Sequence, residues 1–402
     1  IAAADERIRL YTRSGKPIAE LSSARIGGQR YQIHRSAVRD IAFDPSGAFL
    51  VAADDEGQIV RWTLMETPRS EPSQGPALDQ AVVLNNHRLS AGTVAIIKAP
   101  AGRELSDDLV LSASLDGTAR LAGLQTGKGL AVLGHDAAVS SAGFHDGGHR
   151  VATLSVRDGS ARLWSVEPVS RLAYRLSHPN HVWYVDTAIA PPAIARSDDA
   201  LLLATAGYDG GVRVWRYGRD DSSTSPQPWA SFLTDRDENE QTQRPVRQVR
   251  FSPSGNRLAS AQYDGTARLF DLIDKRTDCV LEASESSKGE VYNALFGPDG
   301  DWVLTTSDDP SEPVRLFSTA TCARLATGQA LQHEEGAVEA ATVLGLDDRT
   351  LIATGDQAGI IRLIERSADG RWHQRCRAEA GVGAIGDLAL SPDGRQLAIA
   401  GE

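Results

Sequence analysis

The stretch Thr205-Ala206-Gly207-Tyr208-Asp209-Gly210-Gly211-Val212-Arg213-Val214-Trp215 decides the fold. It is a short apolar run, an Asp-Gly turn, and then apolar residues alternating with polar ones up to a large anchor. Two runs of period two joined by Asp-Gly read as a β-hairpin. Similar stretches end at Tyr11, Trp62, Ala122, Trp164, Phe270, Phe317 and Ile364. The anchors lie roughly 42 to 60 residues apart, near the period of a four-stranded blade. An Asp sits six residues before the anchor at Asp5, Asp116, Asp158, Asp209 and Asp264. An Arg sits two before it at Arg9, Arg120, Arg162, Arg213, Arg268, Arg315 and Arg362.

A second signature precedes most copies: a valine-led apolar strand followed by a Ser-Pro-Asp-Gly-like turn. Examples are Val246 to Phe251 with Ser252-Pro253-Ser254-Gly255, and Ile385 to Leu390 with Ser391-Pro392-Asp393-Gly394. Each unit thus reads as strand a, turn, strand b, Asp-Gly turn, strand c and a weaker strand d. The polar insertions 66–80, 218–228 and 234–245 read as surface loops. The acidic run Asp235 to Glu240 reads as a solvated face rather than a partner site.

These units resemble the WD-repeat (WD40) family over nearly the whole chain. Gly134-His135 stands where that family carries Gly-His, and His34 and His178 occupy the matching place before their strands. The terminal Trp-Asp has drifted: Trp62, Trp164 and Trp215 keep the Trp, and Phe270-Asp271 keeps the Asp. The expected fold is an all-β WD40-type β-propeller forming one domain over residues 1–402. Seven complete repeats span 34–380, with partial repeats at 1–33 and 381–402. The end pieces either join as an eighth blade or belong to a longer array. Strand b occurs at both ends (Ile1 to Ala4 and Leu397 to Ala400), which favours the array.

The resemblance gives His135, Asp158 and Trp164, and likewise His178, Asp209 and Trp215, a structural role as hydrogen-bonded ties within a blade. A Ser-His-Asp arrangement repeated around a ring argues against an active site, which is needed once. Gly123 to Lys128 misses the phosphate-loop spacing and reads as a c–d turn. Cys279, Cys322 and Cys376 fall near strand d of three successive repeats. They are expected to be separated packing residues, neither bridged nor metal-bound. No cofactor and no metal site is expected.

Recognition is expected from positions that escape the repeat pattern at one mouth of the ring. Those before the turn Asp include Arg157, Tyr208 and Tyr263. Those at the second position of strand a include Arg39, Trp183, Arg247 and Tyr292, with Tyr184 beside Trp183. Arg, Tyr and Trp are the side chains that most often anchor interfaces. The strand-c arginines and Arg250 are expected to be ion-paired between blades. A net charge of -11 disfavours general nucleic-acid binding. No apolar stretch is long enough to span a membrane, and with no signal-peptide pattern or disulfide framework a cytoplasmic place is expected. Composition hints at a bacterial gene.

These features predict a non-catalytic protein-interaction or sensor scaffold whose partner is another protein or another domain of its own chain. The resemblance extends this to a regulatory propeller of a larger protein, of the STAND-type or another signalling class. The alternatives are a metal-dependent propeller hydrolase or lactonase and a structural spacer in a repeat array.

Overall fold

The computed structural model describes residues 8–12, 17–21, 23–26, 29–64, 81–99, 107–145, 148–155, 157–166, 171–177, 181–195, 200–217, 227–233, 244–285, 289–326, 331, 333, 336–347, 349–367, 370–380 and 383–401. The three polar insertions, with the acidic run, and His178 lie largely or wholly outside them. Among the described residues there is no α-helix. The fold is that of an eight-bladed β-propeller, as expected in class.

Blades 1 to 5 and 7 are four-stranded antiparallel sheets. They span 38–86, 91–134, 139–177, 182–233, 246–282 and 338–379. Blade 6 (291–318) has three strands. Blade 8 joins Ile385–Leu390 and Gln396–Gly401 to Ile8–Thr12 and Pro17–Leu21. Arg9 pairs with Ile399 and Leu10 with Ala398, so the two end pieces make one sheet. This corrects the preference for an array reading: strands c and d come from the start of the chain, strands a and b from its end. The sequence copy of strand b at Ile1 to Ala4 lies outside the described residues. A hairpin of Ser23–Ile26 and Gln29–Gln32, not expected from the repeat, precedes blade 1.

The blades fall into two compact units. The first holds blades 7, 8, 1 and 2, and the second holds blades 3 to 6. In each, strands a and b bring apolar side chains to both sheet faces. The first unit packs Val38, Trp62, Ile385 and Ile399 in one buried cluster. The second packs Leu202, Val214, Val249 and Phe270 across blades 4 and 5. Burying a Leu or Phe side chain contributes about 1.5–3 kcal/mol, and both faces of a blade are covered only by its neighbours.

The Asp-Gly turns form for two local reasons. The Asp side chain accepts from the N–H two residues on, as Asp116 does from Thr118, Asp158 from Ser160 and Asp264 from Thr266. The glycine takes a positive φ, +84° at Gly117 and the same at Gly57 of the Glu56-Gly57 turn, where a Cβ would stand 2.5 Å from the Leu89 carbonyl. The strand-c arginines then fold back on these turns. Arg162, Arg213 and Arg268 meet the Asp four residues earlier, within their own blades. The expected pairing between blades holds for Arg250, which lies 3.6 Å from Asp186 of blade 4.

Blade 6 departs from the repeat. Past Ser318 the chain turns tightly, with Cys322 at φ +59°, and only the bridge Phe317–Arg324 continues the ladder. Cys322 is bonded to Cys279 on strand d of blade 5, their Cα atoms 6.2 Å apart. The expectation of three separated thiols is therefore wrong for this pair. It assumed a regular strand d at Cys322, whereas the turn carries Cys322 back against its neighbour. Cys376 is free.

Candidate functional site

Strand a has a bulge after its first residue in blades 1 to 6 and 8. One residue per blade therefore falls between two rungs of the ladder: Arg39, Gly92, Ser140, Trp183, Arg247, Tyr292 and Gly386. Bulges re-aim a side chain out of the ladder. Beside it comes the residue before the turn Asp, because strand b ends opposite the first residue of strand a. In blade 5, Val246 pairs with Gln262, so Arg247 and Tyr263 flank one rung.

In blades 4 and 5 this places three aromatic rings together. The ring of Trp183 stands 5.3 Å from that of Tyr208 and 5.3 Å from that of Tyr263, at steep angles. The exposed His181 ring approaches Tyr208 edge-on at 6.4 Å. Tyr208 is 42% exposed. Offset and edge-to-face contacts of this kind hold rings in fixed orientations.

A second group continues from blade 5 to blade 6. The Arg247 guanidinium lies 4.4 Å from the centre of the Tyr292 ring and 3.6 Å from the Glu290 carboxylate. Burial, then the charges of Glu339, Glu290 and Asp308, push the Tyr292 hydroxyl up to about 12. Burial and the same acidic neighbours Asp308 and Glu339 raise the Glu290 carboxyl against the opposing pull of Arg247. Asp308 is fixed by accepting the Glu290 N–H at 2.9 Å.

The other expected residues are placed apart from this cluster. Tyr184 packs on the core of blades 4 and 5, its ring 4.9 Å beneath Arg250. Arg157 is exposed in the turn of blade 3. Arg39, in the first unit, is exposed and bonded to Asp55, its Nε donating at 2.7 Å. Glu290 and His181 were not among the expected residues; their only signal is adjacency to the first residue of strand a.

The histidine sets are internal ties. In blade 3, His135 Nδ1 lies 3.2 Å from Asp158, and its Nε2 lies 2.7 Å from the Thr153 hydroxyl. Trp164 Nε1 donates to that hydroxyl at 2.7 Å. Burial, and then Arg162, lower His135 to about 4. The Thr153 hydroxyl is buried and held from two sides, so it is a poor nucleophile. Blades 1 and 2 carry equivalents: His34 with Asp54 and Trp62, and His87 with Asp116 and Ser112. Asp209 meets Arg213, and Trp215 is buried, while their expected partner His178 lies outside the described residues.

The turn at Gly123 to Lys128 closes on itself, Gly127 N–H donating to the Gly123 carbonyl. Asp107 already accepts from the N–H groups of Gln125 and Thr126, where a phosphate would have to bind. Among the described residues, no three His, Cys, Asp or Glu side chains gather closely enough to hold a metal ion. No helix among them is long and apolar enough to cross a membrane.

With this geometry in view, the class is a β-propeller built of hairpin repeats tied by His, Asp and Trp. The pattern of the WD domain, G-beta repeat, matches residues 28–63, 127–165, 172–216 and 238–271, so these four stretches are similar to that repeat. It is 29% identical over 204 residues to the protein LST8 homolog of Drosophila melanogaster, covering 50% of this chain and 56% of that protein. It is 22% identical to actin-interacting protein 1 of the same organism over 82% of this chain and 48% of that protein. A 27% likeness to human apoptotic protease-activating factor 1 covers 56% of this chain and 16% of that protein. The chain thus spans about half or less of these relatives. The crystal structure of the computationally designed Ika8 protein shares the fold, with a TM-score of 0.63 at 18% identity. It covers 91% of this chain and 97% of the designed one.

Proposed function

We propose that this chain is a non-catalytic protein-interaction scaffold that binds through the face of blades 4 to 6 presenting Trp183, Tyr208, Tyr263, Arg247 and Tyr292. The observation that carries this reading is the Trp183–Tyr208–Tyr263 cluster, whose rings meet at 5.3 Å beside an exposed edge. Such rings bring large contact area at small entropic cost, and a packed group with a polar border is the usual anatomy of a binding hot spot. The relative named for interacting with actin is consistent with a propeller acting by contact. The wider role is regulatory, within a larger signalling protein, as the partial coverage of the relatives suits. A cytoplasmic place has the Cys279–Cys322 bond against it, because reducing compartments keep thiols free.

The test is a double variant, Trp183→Ala with Tyr263→Ala, compared with the parent chain in proximity cross-linking from its native cell. Both must show the same circular dichroism and melting. Loss of the specific cross-linked partners in the variant supports the reading. An unchanged partner set with an intact fold removes this face from consideration.

A further inference from the structure

The aromatic face adjoins a group of carboxylates. Three carboxylates, Glu290, Asp308 and Glu339, act on the Tyr292 hydroxyl, and one guanidinium, Arg247, stands among them. Glu290 and Arg247 are only partly buried, so their charges remain within reach of a partner. Next to them, on the same blade as Arg247, begins the aromatic wall of Tyr263, Trp183 and Tyr208.

Aromatic faces attract cations through the ring quadrupole, most strongly where the cation is partly desolvated. This surface already holds one such pair, Arg247 on Tyr292 at 4.4 Å. Resting on the interface reading above, we propose that the face of blades 4 to 6 takes a basic peptide segment of a partner. One Arg or Lys side chain seats on the Trp183–Tyr208–Tyr263 rings, and a second basic side chain meets Glu290 and Glu339. The charge selects among occupants. A second copy of this chain, with net charge -11, would bring like charge to like, and a nucleic-acid backbone would do the same. A cationic segment instead meets the Glu290 carboxylate beside Arg247 and the Asp308 carboxylate bonded to the Glu290 N–H.

The experiment uses a displayed library of random decapeptides selected on the full chain. A counter-selection follows on Trp183→Ala with Tyr263→Ala. The expected result is enrichment of sequences with two or more Arg or Lys. A resynthesised peptide should bind the parent at least tenfold more tightly than Glu290→Gln with Glu339→Gln, and the difference should shrink at high salt. Trp183-dependent peptides that are neutral or acidic would overturn the basic partner while leaving the interface reading standing. Basic peptides that bind the aromatic double variant equally well would show only attraction to an acidic protein and overturn the proposal. Absence of any peptide that depends on Trp183 overturns both.

Discussion

Blade 3 and the junction of blades 8 and 1 each enclose an ionisable group, and acid acts on them in opposite directions. In blade 3, His135 is held neutral between Asp158 and Thr153, its pKa lowered to about 4 by burial and by Arg162. At the junction, Asp387 of blade 8 and Asp40 of blade 1 lie side by side on the inner strands. Burial and their mutual repulsion raise Asp40 well above the usual carboxylate range, and burial raises Asp387. The pair therefore retains a proton where free acids have lost theirs. The histidine set ties side chains within its blade, whereas the acid pair serves a backbone need where blades meet. Asp40 accepts the Val94 N–H of the next blade at 2.7 Å. Gln248 does the same for Ala294 between blades 5 and 6, at 2.9 Å, with a neutral amide. The lesson is that the fold requires an acceptor at this place, while its charge is left to the sequence.

A histidine whose folded pKa is lowered supports the fold above about pH 6.5, and that support is lost as pH falls towards 4. For His135 the loss is on the order of 3 kcal/mol by pH 4. His145, lowered to about 3 by burial and then by Arg150, adds a loss of the same direction. Urea midpoints at pH 7, 5.5 and 4 should fall steeply in the parent and less so in His135→Gln. An equal slope in both would remove His135 from the account. Thr153→Val tests the same tie at fixed pH. It strips the shared hydroxyl from His135 and Trp164 and should cost about 1–3 kcal/mol, read from urea unfolding at pH 7.

The acid pair runs the other way. Its raised folded pKa gives stability that is complete below about pH 4 and lost as pH rises through the folded value. Asp387→Asn lets an amide donate to Asp40 in place of the shared proton. It should stabilise the chain by about 1 kcal/mol at pH 7, a usual single-site effect, and by nothing near pH 3.5. A variant that melts lower than the parent at pH 7 would contradict the pairing. The smallest effect is expected one residue away. Arg39→Ala removes an exposed ion pair with Asp55 and should change stability by less than about 1 kcal/mol, without altering either pH slope.

The two regions also differ in how far they could be read from sequence. His135, Asp158 and Trp164 fall within 30 residues at repeat spacing, so their tie follows from the recurring pattern. Asp40 and Asp387 come from opposite ends of the chain and meet only because the end pieces share blade 8. The Cys279–Cys322 bond escaped for a related reason: equal places in successive repeats implied separation, and an irregular turn in blade 6 cancelled it. Of the recognition candidates, Trp183, Tyr208 and Tyr263 do converge, Arg247 and Tyr292 form a second group with Glu290, and Tyr184 turns to the core.

The sequence by itself determined the hairpins, their order, their Asp-Gly turns and their anchors, because period-two alternation and turn chemistry act within a few residues. Only the tertiary structure decided that the end pieces share a sheet, that blade 6 stops short, and which mouth residues touch. These depend on contacts between segments far apart in the chain, and such contacts leave no local periodicity to read.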